Sequence, residues 1–170
     1  MSVSCQTTPA TEIPGAEPYF VGVGLGRAPV WLVGWGGAVE GTPTSDASSS
    51  GTPVSLPYLD LAAVNRLEPY GWPMKALWVI ADGHGTPVQV EGCDCSDRRP
   101  LWFQLGDEEP EHRATLDPLN PGIPVQHGGW REFPSYVIFP ETGCYEITAT
   151  WEDGSWNARI PVFTGTTTEE

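Results

Sequence analysis

Four cysteines, Cys5, Cys93, Cys95 and Cys144, carry the most chemistry in this 170-residue chain. A thiol can ligate a metal, act as a nucleophile or close a disulfide, and spacing separates these uses. Cys93 and Cys95 flank Asp94 alone. Side chains two apart on an extended chain share a face without the geometry a disulfide demands, so these two are poorly placed to bond each other. Either can pair with Cys144 if the fold brings the segments together, and such a bond implies an oxidising compartment. Cys5 stands apart, followed by a Thr/Pro/Glu/Ala segment from Gln6 to Pro18 that has no apolar period. That composition reads as a flexible tether.

Other groups bear on metal and group-transfer chemistry. His84, His112 and His127 with Cys93 and Cys95 could supply imidazole and thiolate, but their spacing is that of no zinc ribbon or finger, and no His or Met follows Cys144 as a copper site would want. No metal or other cofactor is expected. Asp94, Asp97, Asp107, Glu108, Glu109 and Glu111 concentrate oxygen ligands without EF-hand spacing, which suits a solvated acidic loop better than calcium. Gly22, Gly24 and Gly26 resemble a phosphate-cradling loop, yet Arg27 stands where the third glycine of a dinucleotide fingerprint belongs, and a strand follows instead of a helix. Serine-nucleophile, His-Glu-x-x-His and P-loop motifs are missing, so the chain reads as no enzyme.

Eight tryptophans are the most unusual positive feature. Trp31, Trp78, Trp151 and Trp156 sit among apolar strand residues and read as core. Trp35, Trp72, Trp102 and Trp130 lie at strand ends, on polar faces or in Gly/Pro loops. There they could offer flat platforms to a sugar or a protein, because an indole gives contact area at low entropic cost. The competing reading has them cap the ends of the fold beneath long loops.

Short strands separated by Gly, Pro, Asp and Ser position these residues. Tyr19 to Gly24 and Val30 to Trp35 form a first pair, and Leu59 to Leu67 has the three-to-four spacing of one or two helical turns. Ala76 to Ala81 is continuously apolar, as a strand buried on both faces should be. Alternation then predicts strands through Val88 and Val90, Leu101 to Leu105, His112 to Leu116, Ser135 to Phe139, Cys144 to Trp151 and Trp156 to Phe163, the last two joined by an Asp-Gly hairpin turn. The pattern is that of an all-β, antiparallel two-sheet sandwich with an extra N-terminal strand pair. Residues 1–18 are the tether. Residues 19–165 form one domain, in which 19–70 hold the strand pair and a loop and 71–165 the core, and 166–170 are a polar tail.

The segment from Glu141 through Gly143 and Tyr145 to Ile147 resembles the strand-opening motif of immunoglobulin-like domains. The resemblance implies that the Tyr145 hydroxyl returns to nearby backbone as a structural corner. Ile147 replaces the usual core cysteine, so the conventional inter-sheet disulfide is absent, and Cys144 points away from the core. More loosely, Gly71-Trp72-Pro73, Lys75 to Trp78, Gly129-Trp130, Pro134 to Tyr136 and Gly143 to Tyr145 are similar to uncharacterised bacterial lipoprotein-type proteins. This implies an envelope location, with Cys5 as the lipidation candidate, although Ser2, Val3 and Ser4 supply only a fragment of the signal that precedes such a cysteine.

Charge narrows the partners. The chain has 22 acidic and 8 basic side chains, a formal charge of −14 and one lysine, Lys75, which excludes a nucleic-acid binder. No stretch reaches the ~18 apolar residues of a spanning helix, so contact with a membrane is expected only through a lipid anchor. The expectation is a non-enzymatic, extracytoplasmic accessory or adhesive module with a protein or glycan partner at the cell surface. Alternatives are a carbohydrate-binding module using the four tryptophans, or a structural subunit of a surface or filamentous assembly.

Overall fold

A computed structural model describes residues 5–6, 8–14, 23–36, 54–55, 59–60, 64–120 and 129–163. Among them lie twelve strands and no helix: β1 (Pro9–Glu12), β2 (Val23–Arg27), β3 (Val30–Gly36), β4 (Val54–Ser55), β5 (Leu59–Asp60), β6 (Trp72–Ile80), β7 (Val88–Asp94), β8 (Trp102–Leu105), β9 (Arg113–Leu116), β10 (Arg131–Phe139), β11 (Gly143–Trp151) and β12 (Gly154–Phe163). They make a seven-stranded sheet in the order β4-β1-β2-β3-β6-β10-β8 and a five-stranded sheet in the order β5-β12-β11-β7-β9. Apart from the short parallel pairing of β5 with β12, all neighbours are antiparallel. The fold is an all-β sandwich.

Period-two alternation explains the core. Met74, Ala76, Trp78 and Ile80 of β6 face Val88 and Val90 of β7, Ile147 and Ala149 of β11 and Ala158 and Ile160 of β12 in one buried cluster. The continuous apolar run of β6 arises because its other face is covered as well. Val79 and half-buried Leu77 lie with Trp31 and Val33 under Ile13 and Trp130, in a second cluster outside the seven-stranded sheet. The Trp156 indole stacks on Trp78 at 6.1 Å and donates through Nε1 to the Val30 carbonyl at 2.9 Å. It leaves no room for a side chain at Gly26, whose φ is +118° and where a Cβ would come within 2.5 Å of the ring. Glycine at this position serves close packing, and β2 runs into β3 through Ala28 and Pro29 with no phosphate-cradling helix.

Two sequence expectations change here. Residues Pro9–Glu12 lie inside the expected tether yet form β1, paired with β2 and β4, with Ala10 and Ile13 buried. Their backbone groups find partners on distant strands, which an absent local apolar period does not reveal. The expected helical turns at Leu59 to Leu67 begin instead with β5, and Leu67 closes a turn by exchanging backbone bonds with Gly71. The front of the first expected strand, Tyr19 to Gly22, lies outside the described residues, as do Gly22 of the glycine run and His127.

Before entering β1 the N-terminal segment straps one sheet to the other. The Thr8 amide donates to the Arg159 carbonyl at 3.0 Å, and the Arg159 amide returns a bond to the Thr8 hydroxyl at 2.8 Å. Thr8 therefore satisfies backbone groups of β12 that would otherwise lie open beside the outer part of the five-stranded sheet.

Candidate functional site

The alternation that buries Val88, Val90, Tyr145 and Ile147 sends Glu91, Cys93, Cys144, Glu146 and Thr148 to the outside of the five-stranded sheet. Pairing of β7 with β11 sets Cys93 opposite Glu146 and Glu91 opposite Thr148. Beyond β7 the chain turns sharply because the Asp94 carboxylate accepts from the Ser96 amide at 2.7 Å, from the Ser96 hydroxyl and from the Asp97 amide at 3.3 Å. Such an Asx turn mimics a backbone turn. Arg98 completes it at φ 62°, donating its amide to the Asp94 carbonyl at 3.1 Å. Gly143 must be small beside it, since a Cβ there would meet the Asp94 carboxylate at 2.7 Å.

This turn places Cys95 against β11. Its amide donates to the Cys144 carbonyl at 2.8 Å, and its sulfur lies 3.4 Å from Cys144 Sγ. Cys144, however, is bonded to Cys5 across a Cα–Cα distance of 5.4 Å. The expected pairing of Cys144 with Cys93 or Cys95 is therefore corrected: both remain thiols. The reason is the strap, which carries Cys5 over the outer face to Cys144. Lipidation at Cys5 is corrected with it, because a thioether needs the sulfur that the disulfide occupies. Burial pushes both free thiols upward from their ordinary value. Glu146, Asp94 and Glu91 add to this at Cys93 against the opposing Arg98 guanidinium, while Glu146, Asp94 and Cys93 add to it at Cys95 against Arg159.

Next to the sulfurs an open cleft of about 420 Å³ is lined by Glu91, Cys93, Arg98, His112, Arg113 and Glu146. Its charges are paired within it. Arg113 meets Glu91 at 3.0 Å, and Glu146 takes both Arg98 at 3.8 Å and Arg159 at 3.4 Å. His112 Nδ1 lies 2.8 Å from the Leu101 carbonyl, an atom that only accepts, so this nitrogen carries the proton and donates it. The imidazole also lies over Trp102 at 3.6 Å. These contacts make a charge-compensated surface, and among the described residues no three His, Cys, Asp or Glu side chains gather as a metal site.

Of the four tryptophans proposed as platforms, the three whose side chains are described, Trp72, Trp102 and Trp130, do not share a surface. Trp130 is buried against Trp31 at 5.7 Å and covers the apolar outer cluster, which fits the capping reading and corrects the platform one at this position. Trp72 packs against the inner core with the Arg66 guanidinium 4.9 Å from its ring. Trp102 is half-buried between His112 and the edge of Tyr70, at 5.1 Å. Trp35 belongs to β3 just past a register shift, and its side chain lies outside the described residues. Tyr145, fully buried, donates its hydroxyl to the Glu141 carbonyl at 2.7 Å across the corner between β10 and β11.

No family model matches the sequence, and no curated protein does.

The cleft residues Glu91, Arg98, Arg113 and Glu146 were not singled out from the sequence. For Glu91, Arg113 and Glu146 the signal was present in the same alternation that located the core, since each alternates with buried residues of its strand, whereas Arg98 lies in the turn after β7, where no alternation applies. The pairing of Cys5 with Cys144 had no such local sign.

Proposed function

We propose that the chain works outside the cytoplasm as a non-enzymatic accessory or adhesive module that takes a protein or glycan partner at the cell surface. The observation that carries this reading is the Cys5–Cys144 disulfide, a bond that persists in oxidising compartments and is rare in reducing ones. The character of the outer face adds support. Its carboxylates and guanidinium groups are occupied by one another, an arrangement suited to a stable surface.

Alkylation of the protein inside its native cells before lysis, followed by mass mapping without reduction, tests the compartment. A peptide joining Cys5 to Cys144 is expected; four alkylated cysteines would sink the reading.

A carbohydrate-binding role is the second reading, and one observation favours it. Tyr70, Trp102 and His112 form a continuous aromatic array in which Trp102 remains half-exposed. Quenching of tryptophan fluorescence across a glycan panel, lost in Trp102→Ala, is the expected behaviour of such a site. The assembly reading has less support, because two strand edges are covered: β8 by backbone bonds between Phe103 and Glu111, and β12 by Thr8.

A further inference from the structure

We propose that Cys95, Cys144 and Cys5 form a thiol–disulfide exchange site, in which the Cys95 sulfur attacks Cys144 Sγ and displaces Cys5. One S–S bond forms between Cys95 and Cys144 while the one between Cys144 and Cys5 breaks. The proton lost by Cys95 is taken up by the departing Cys5 sulfur. The count of disulfides and of electrons is unchanged, so no oxidant or reductant enters.

Three observations carry the step. The attacking sulfur is 3.4 Å from the sulfur it must reach. The two backbones are already joined by the bond from the Cys95 amide to the Cys144 carbonyl at 2.8 Å, so the product needs side-chain rotation and no rearrangement of the sheet. Cys95 is also a free thiol held in place by the Asp94 turn, whereas Cys93, on the same face, sits opposite Glu146.

The exchange replaces a link across 139 residues with one across 49. It releases the end of the strap that crosses the five-stranded sheet, leaving it held by Thr8 on Arg159 and by the pairing of β1. The product is a thiol on a freed N-terminal segment, available to attack the disulfide of a partner, forming one mixed S–S bond and releasing one partner sulfur as a thiol.

The nucleophile is the thiolate, so exchange is slow where Cys95 is protonated. Burial raises its pKa, with the Glu146 and Asp94 carboxylates and Cys93 adding to the effect and Arg159 opposing it. The rate of Cys5 release therefore rises about tenfold per pH unit across the neutral and mildly alkaline range.

The test uses the full oxidised chain, incubated without added thiol from about pH 7 to about pH 9.5, quenched in acid, alkylated with N-ethylmaleimide and digested without reduction. The expected result is loss of label from Cys95, its appearance on Cys5 and a new peptide joining Cys95 to Cys144. Cys93→Ser keeps this behaviour and Cys95→Ser abolishes it. The proposal is overturned if Cys5 stays unlabelled at every pH, if it is labelled in Cys95→Ser, or if the new peptide joins Cys93 to Cys144.

Discussion

On the outside of the five-stranded sheet, Glu91, Arg113, Glu146, Arg98 and Arg159 neutralise one another beside a covalently pinned strap. On the outside of the seven-stranded sheet, Trp31, Val33 and Val79 are apolar and lie beneath Ile13 and Trp130. The same N-terminal segment serves both faces, ending in Cys5 on the first and supplying Ile13 to the second. One attachment depends on a bond whose existence is set by redox conditions. The other depends on burial, which follows apolar area and is indifferent to redox state. The sandwich is thus held from outside by two means that respond to different challenges.

Cys144→Ser is the largest expected perturbation of the polar face. Opening a link across 139 residues costs ~3–5 kcal/mol in the chain-entropy account, read as a lower urea midpoint. Cys5→Ser should cost less under oxidising conditions, since Cys95 stays within reach of Cys144; equal losses would argue that Cys95 cannot substitute. On the apolar face Trp130→Ala should cost ~3 kcal/mol, through lost burial and the cavity left over Trp31, and should leave alkylation of Cys95 unchanged.

A smaller effect separates the shared core from both faces. Burial, with the Asp94 and Glu141 carboxylates adding to it, pushes the Tyr145 hydroxyl up to about 12 from an ordinary 10.0. The folded protein therefore keeps a proton that the unfolded chain releases first. Stability from this group is fully present below about pH 10 and drains away as pH rises towards about 12, by up to ~2–3 kcal/mol. Tyr145→Phe should flatten that decline and cost ~1 kcal/mol at neutral pH, where it removes the bond to the Glu141 carbonyl. Urea unfolding at a series of alkaline pH values checks both parts.

The smallest expected change is Glu91→Ala, below ~0.5 kcal/mol and fading in high salt, because the pair with Arg113 is solvent-exposed on both sides. A loss as large as that of Trp130→Ala would remove the contrast between the faces.

The sandwich was legible wherever a strand's burial follows its own sequence. The β11 and β12 hairpin alternates cleanly, and the unbroken apolar run of β6 announced cover on both faces. What escaped depends on residues far away in the chain. Pro9–Glu12 has no pattern of its own and becomes a strand because β2 and β4 supply partners. Trp130 stands beside glycines at the end of a long connection, so its burial depends on apolar residues of β3 and β6 that its neighbours do not disclose. Cys5 has the same difficulty in sharper form: four cysteines allow three complete pairings, and spacing argues only against joining Cys93 to Cys95, which gives no sign that Cys5 meets Cys144.

The reach of the strap also has a consequence in time. Of the four cysteines, synthesis delivers Cys5 first, then Cys93 and Cys95, and Cys144 last, so the first of these thiols that Cys5 can encounter are not its final partner. A chain oxidised as it emerges meets the mismatched pairs before the native one exists. Cys95, lodged beside the place where Cys144 will arrive, is then positioned to pass a prematurely formed bond onward once the last hairpin closes.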